Sequence, residues 1–194
     1  VVRANIQNQR PTYLLRNYRN AYIHWDNNDL SRQFRTSLQG EIGYSRTRTK
    51  LRFGWNNLTN YTYLAMQNTL KPGAKEGSIV PADYTHSVAV RQSDASVQVF
   101  TASLSQDLIW KFIGWENEIT FQHSTNQDVL PLPAINIYSN LYLQFRIAKV
   151  LRVQLGGDIR FFTGYYAPDY FGAAGMFAVQ DASHTRMTIG KYPI

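Results

Sequence analysis

The chain has 4 His and no Cys, so thiol chemistry, disulfides and Cys-based metal sites are excluded. The histidines are His24, His86, His123 and His184. None has a second His or Cys two or four positions away, the spacing that offers a metal two ligands from one element. They read as ordinary loop and interface histidines. Asp26-Asn-Asn-Asp29 gathers oxygens but lacks the glycine and distal glutamate of a calcium loop, and reads as a solvated turn. His123 and Ser124 are adjacent in a segment of strand character, so alternation puts them on opposite faces. A Ser–His nucleophile there would need a bulge. Gly156-Gly157 follows a strand without opening a helix, which suits a bend better than a phosphate cradle. Asn57-Leu-Thr59 and Asn60-Tyr-Thr62 match glycosylation sequons and read as incidental. The expectation is no enzyme activity, no cofactor and no metal.

What remains is charge. Lys and Arg number 20 against 13 Asp and Glu, a formal net charge of +7. Such an excess attracts phosphate when it is clustered. Here no run of five or six basic residues occurs, and the charges alternate with apolar neighbours, so nucleic acid is not an expected partner. Arg35, Lys50, Arg52, Arg146, Arg152 and Arg160 share the polar side of their segments with Glu41, Asp107, Glu116, Glu118 and Asp158. Along a passage, such charges would set ion selectivity through the local field. The basic excess would then give a mild anion preference. Equally, they could pair off and solvate a wall. Both readings stay open at this stage.

The elements that must carry them are strands. Thr36, Leu38, Gly40, Ile42 and Tyr44 alternate with Arg35, Ser37, Gln39, Glu41 and Gly43. Leu141, Leu143, Phe145 and Ile147 alternate with Tyr142, Gln144 and Arg146, and Leu151, Val153, Leu155, Ile159 and Phe161 with Arg152, Gln154, Asp158 and Arg160. The pattern predicts strands at 1–9, 32–44, 49–64, 96–110, 115–124, 137–147 and 151–163, with an eighth starting near Arg186 and cut at Ile194. Short connections at Ser45–Arg48, Lys111–Gly114 and Ala148–Val150 alternate with long ones at 10–21, 67–95, 125–136 and 165–185. The longest is expected to hold an extra short strand around His86–Val90.

Tight turns at one end and long loops at the other are the plan of an outer-membrane barrel. A soluble β-sandwich also alternates, and a soluble β-rich binding module is the plain rival. Two features favour the membrane. Strands of about ten residues suit a tilted span, whereas soluble strands run to about five or six. Aromatics gather near the strand ends, at Trp55, Tyr61, Tyr63, Trp110, Trp115, Phe161, Tyr165 and Tyr166, as in the girdles at lipid–water boundaries. No stretch of 18 apolar residues exists to form a transmembrane helix. The fold expected is all-β, a single domain over 1–194 forming a transmembrane antiparallel up-and-down barrel, as a fragment of about seven to eight strands of a larger barrel, incomplete at both ends. Register supplies a check. Pairing Tyr44 with Thr49 sets Glu41 against Arg52, Leu38 against Trp55 and Ile42 against Leu51. Pairing around Lys149 sets Arg146 against Arg152, an electropositive spot.

Several stretches resemble the Bacteroidota-type outer-membrane porin family. They are Asn126-Gln-Asp-Val-Leu-Pro-Leu-Pro133 and Tyr138-Ser-Asn-Leu-Tyr-Leu-Gln-Phe-Arg146, the latter running on to Gly164-Tyr-Tyr-Ala-Pro168. His24-Trp-Asp26, Asn57-Leu-Thr-Asn-Tyr61 and Gly190-Lys-Tyr-Pro193 are similar too. The resemblance implies a C-terminal portion of a larger barrel in the bacterial outer membrane. It also implies passive diffusion of small polar or ionic solutes, in contact with outer-membrane lipid and lipopolysaccharide. A structural or docking barrel within an assembly of outer-membrane proteins is the alternative.

Overall fold

The computed structural model describes the whole chain except Tyr22, Ile79, residues 183–185 and 192–194, and the side chain of Pro81. Its elements in order are β1 (Val2–Gln9), a single helical turn α1 (Tyr13–Arg16), β2 (Asn17–Arg19), β3 (His24–Asp26), β4 (Gln33–Tyr44) and β5 (Thr49–Thr59). Then come β6 (Thr62–Leu70), β7 (Tyr84–Gln92), β8 (Val97–Trp110), β9 (Ile113–Ser124), β10 (Ile135–Ile147), β11 (Leu151–Phe162), β12 (Asp169–Phe171) and β13 (Met176–Ala178).

One seven-stranded antiparallel sheet, ordered β1-β4-β5-β8-β9-β10-β11, holds all the long strands. Sequence neighbours pair throughout once the three small hairpins are set aside. Among the described residues the edge strands β1 and β11 pair only on their inner sides, so the sheet is open. The register expected around the first and last turns is found: Tyr44↔Thr49, Glu41↔Arg52, Leu38↔Trp55 and Ile42↔Leu51, then Arg146↔Arg152. Arg48, Lys111, Ala148 and Lys149 take positive φ in the tight turns. The second turn is tighter than expected, because Ile113 and Gly114 already belong to β9.

The turns do not lie level. Tyr44 and Thr49 share a rung with Gln106 on β8, yet β8 runs four residues further, to Trp110, before it turns. Trp110 and Ile113 share a rung with Leu143, and β10 again runs four residues further, to Ile147. Each hairpin therefore shifts the turn by the same amount in the same direction. Strands arranged this way are tilted relative to the line joining their turns.

The expected strand at 49–64 stops at Thr59. Asn60 takes φ +55, a left-handed conformation that Asn tolerates better than most residues, and sends the chain out of the sheet. Its side-chain amide donates to the Arg32 carbonyl at 3.1 Å, and its own carbonyl accepts from Gln92 Nε2 at 3.0 Å. The chain then forms the β6–β7 hairpin, of which the expected strand around His86–Val90 is one arm. Over 186–191 the expected eighth strand is reduced to a single bridge, Tyr165↔Ile189, and its end at 192–194 lies outside the described residues.

The long connections build a second, smaller core. Leu64, Met66, Val88 and Ala178 are buried together, with Leu15, Ile23, Trp25, Val90, Phe171 and Met176 packed against them. A parallel bridge ties β6 to the chain after β13: Met66 N donates to Val179 O, and Val179 N to Leu64 O, both at 2.8 Å. Residues from three separate connections thus share one apolar cluster. By contrast, the sheet's own large apolar side chains, such as Ile42, Leu141 and Leu155, are exposed.

Candidate functional site: the charged face of the sheet

Cross-strand partners point to the same side, so the register sorts every sheet residue onto one of two faces. One face is apolar except at two rungs, Thr36–Asn57–Gln98 and Thr49–Gln106–Asn117–Ser139. Its apolar rungs include Val2–Gly40–Phe53–Ala102–Phe121–Ile135, Ile42–Leu51–Leu104–Ile119–Ile137–Phe161 and Trp110–Ile113–Leu143–Leu155. Trp55 sits here between Leu38 and Phe100, and Trp115 between Leu108 and Leu141. Of the aromatics singled out in the sequence, Trp55, Trp110, Trp115 and Phe161 lie on this face. Tyr61, Tyr63, Tyr165 and Tyr166 lie beyond the ends of the seven strands. Tyr61 and Tyr63 stack at 6.1 Å, Tyr165 bridges Ile189, and Tyr166 lies 4.1 Å under the Arg186 guanidinium.

The other face carries all eleven charged residues singled out in the sequence. Starting from the tight-turn edge, Arg146 faces Arg152 and Gln144 faces Gln154. A rung of Asp107, Glu116, Asn140 and Asp158 lies further along. The next is Lys50–Ser105–Glu118–Tyr138–Arg160, followed by Glu41–Arg52–Ser103–Thr120–Asn136. Arg35 stands nearer the long connections, donating to Asn56 Oδ1 at 2.9 Å.

Some of these charges are matched. Arg52 Nε donates to Glu41 Oε2 at 3.0 Å; with both side chains nearly half exposed, the pair is worth at most about 1 kcal/mol. Arg160 lies 3.8 Å from Asp158 and 5.3 Å over the Tyr138 ring. Asp107 and Glu116 oppose each other directly, which is unfavourable alone. Glu116 is held by Asn140 Nδ2 at 3.2 Å and by the Tyr142 hydroxyl at 3.1 Å. Arg48, Lys50 and Arg52 line the same 230 Å³ depression as these carboxylates. The face is therefore a ladder of alternating sign, with one unmatched basic rung at the turn edge.

Sequence reasoning missed how Tyr142 reaches Glu116. Tyr142 shares a rung with Gly114 on one side and Gly156 on the other. A Cβ built on Gly114 would meet the Tyr142 ring at 2.2 Å, so the ring lies flat over that glycine. A Cβ on Gly156 would meet Leu141 O at 2.5 Å and Tyr142 Cα at 2.8 Å. Gly156 thus permits a close strand approach, whereas Gly157 has open space. The register pairing Arg146 with Arg152 already implied Tyr142 opposite Gly156.

The remaining candidates do no chemistry together. Ser124, almost fully buried, donates to Asn126 O at 3.1 Å, while His123 lies on the apolar face opposite Phe100. His86 Nδ1 shares a hydrogen bond of 2.7 Å with Asn68 Oδ1, and Asp26 accepts from Asn28 within the turn. His24 is in β3, and His184 lies outside the described residues. Among the described residues no three His, Cys, Asp or Glu side chains gather as metal ligands, and no helix is long and apolar enough to cross a membrane, which says nothing of strands.

Outside the sheet, burial pushes Tyr61 above the ordinary tyrosine range. Burial does the same to Tyr63, opposed by Arg91 and aided by Asp128 and Asp94. A raised folded-state value means that their stabilisation is whole below the unfolded value of about 10 and is lost as pH rises through the folded one. The expected result is protection of the 60–95 connection from proteolysis at neutral pH that fades above about pH 10, in step with tyrosinate absorbance.

The sheet is thus an all-β antiparallel meander with one largely apolar and one charged face. The chain belongs to the family described as Putative porin, whose model matches residues 1–194. No curated protein and no solved structure matches it.

Proposed function

We propose that this chain forms part of the wall of a β-barrel in the bacterial outer membrane, with its charged face lining a passage through which small polar or ionic solutes diffuse passively. The observation that carries this reading is the combination of two exposed faces of opposite character with the uniform turn stagger. A soluble sheet covers its apolar face. Here Leu141, Leu155 and Ile159 are all more than half exposed, as side chains turned to lipid would be. The stagger is the tilt that a barrel wall requires. Family membership points the same way. The partners on this reading are outer-membrane lipid and lipopolysaccharide outside and the solutes inside, with Arg35, Glu41, Lys50, Arg52, Asp107, Glu116, Glu118, Arg146, Arg152, Asp158 and Arg160 toward the passage. Trp55, Trp110, Trp115 and Phe161 would meet the lipid.

The full-length protein in a planar bilayer is expected to give stepwise single-channel conductance. A folded, inserted but silent protein would instead favour the second reading, a scaffold barrel in an outer-membrane assembly. One observation supports that second reading. The connection cluster has its own core and shows an exposed aromatic pair, Tyr170 and Phe177, at 5.3 Å. A chain that stays folded and dissolved without detergent would sink both.

A further inference from the structure

The tight-turn rim of the sheet is charged in one sense only. Over 42–51, 108–115 and 146–152 every charged residue is Lys or Arg, whereas the long connections at the other end mix both signs. Each turn contributes an exposed basic residue, Arg46, Lys111 or Lys149, whose side chain makes no ion pair among the described residues. Arg48 lines the depression on the charged face, and Arg146 and Arg152 stand on that face too, so these three belong to the passage.

Backbone demands do not account for the cations. Lys111 and Lys149 take φ +47 and +60, the left-handed region that Gly or Asn enters at less cost. A long cationic side chain adds nothing to such a turn, so its place is explained by what the turn meets. Large apolar side chains stand beside it. Tyr44, Trp110 and Phe112 are each more than half exposed, and Val150 is 89% exposed. Aromatic rings at headgroup depth, with cations reaching past them to the phosphates, suit a lipid–water boundary.

The turns also fall on one line, because each hairpin shifts the next turn by four residues in the same direction. Two strand spacings of about 4.8 Å and four residues at about 3.3 Å put successive turns roughly 16 Å apart. No single phosphate or carboxylate spans that distance. The three cations therefore call for a surface that carries many anions and accepts apolar side chains between them. This inference rests on the wall reading proposed above, in which the tight turns stand at the periplasmic leaflet. We propose that the tight-turn rim binds the phosphates of anionic phospholipids in that leaflet, with one contact each at Arg46, Lys111 and Lys149.

The test titrates the full-length protein in neutral detergent micelles with phosphatidylglycerol and counts bound lipid by native mass spectrometry. Phosphatidylglycerol is expected to bind more tightly than net-neutral phosphatidylcholine. The preference should shrink in about 1 M salt, where the Debye length falls to about 3 Å. Combining Arg46→Gln, Lys111→Asn and Lys149→Asn is expected to weaken phosphatidylglycerol binding about a hundredfold, from about fivefold per cation at a charged lipid surface. Asn keeps the left-handed turns, and the gel mobility of the folded form checks that this variant is intact. Arg46→Lys with Lys111→Arg and Lys149→Arg should bind as the unsubstituted protein does, as should Lys75→Gln in a long connection. Equal binding of the two lipids or full binding by the neutral triple variant overturns the proposal. So does displacement by inorganic phosphate at the lipid's own concentration, which marks a free-anion site, or tighter binding of polyglutamate, which marks an acidic protein. Each leaves the wall reading intact. A chain that needs no lipid or detergent to fold removes the wall reading itself.

Discussion

Gly156→Ala is expected to destabilise the sheet by about 1–3 kcal/mol, whereas Gly157→Ala, one residue along, should be close to neutral. The contrast follows from what each new methyl would meet. At Gly156 it runs into backbone, Leu141 O at 2.5 Å and Tyr142 Cα at 2.8 Å, and neither can move unless β10 and β11 separate. At Gly157 it meets nothing within 4 Å. Gly114→Ala should fall between them, because the obstacle there is the far end of the Tyr142 ring. The ring can swing away at the loss of its hydrogen bond to Glu116. The urea midpoint for unfolding from micelles, read by gel mobility for all three variants, checks the order. A Gly156→Ala protein as stable as Gly157→Ala would show that the strands do not approach so closely.

The same rung shows what a sequence can and cannot convey. Period-two alternation gave the strands at 32–44, 96–110 and 151–163 to within a residue or so of their observed ends, because each has one wet and one apolar face. Register followed from pairing complementary residues across short turns, since a one-residue slip would have set Arg52 on the apolar side. The Gly156-Gly157 pair was visible, but its asymmetry was not. Which of two adjacent glycines is pressed depends on which face carries the neighbouring tyrosine, and that emerges only when the register is followed to Tyr142.

The connections were the least legible part. Leu64, Met66, Val88 and Ala178 come from two stretches far apart in sequence, each too short to show a buried face of its own. Leu64 lies in what reads as the tail of a long strand, and only the left-handed turn at Asn60 separates β6 from β5. An asparagine is permitted in that conformation but not obliged to adopt it, so the break had no decisive mark. A polar rung on the apolar face was hidden for a related reason. Gln106, Asn117 and Ser139 interrupt three separate strands, and only pairing lines them up.

Arg146 and Arg152 should govern ion selectivity more than any other charges on the face, because distance leaves them unmatched. The nearest rung of carboxylates lies three rungs away, from Arg146 to Asn140 along β10. At about 3.3 Å per residue that is roughly 20 Å, well beyond a Debye length of about 8–10 Å at moderate salt. Glu41 and Arg52, by contrast, touch at 3.0 Å and largely cancel as seen by a passing ion. Replacing both turn-edge arginines by glutamate is therefore expected to move the anion-to-cation permeability ratio toward cations by about three- to tenfold, as a change of a few kT in local potential would do. Exchanging Glu41 and Arg52 for one another should change it little. Reversal potentials across a bilayer in a potassium chloride gradient measure both. The shift should shrink in about 1 M salt, where the Debye length falls to about 3 Å. A conducting channel whose selectivity ignores Arg146→Glu and Arg152→Glu would place this rung away from the path of the ions, leaving the charges as solvation for the wall.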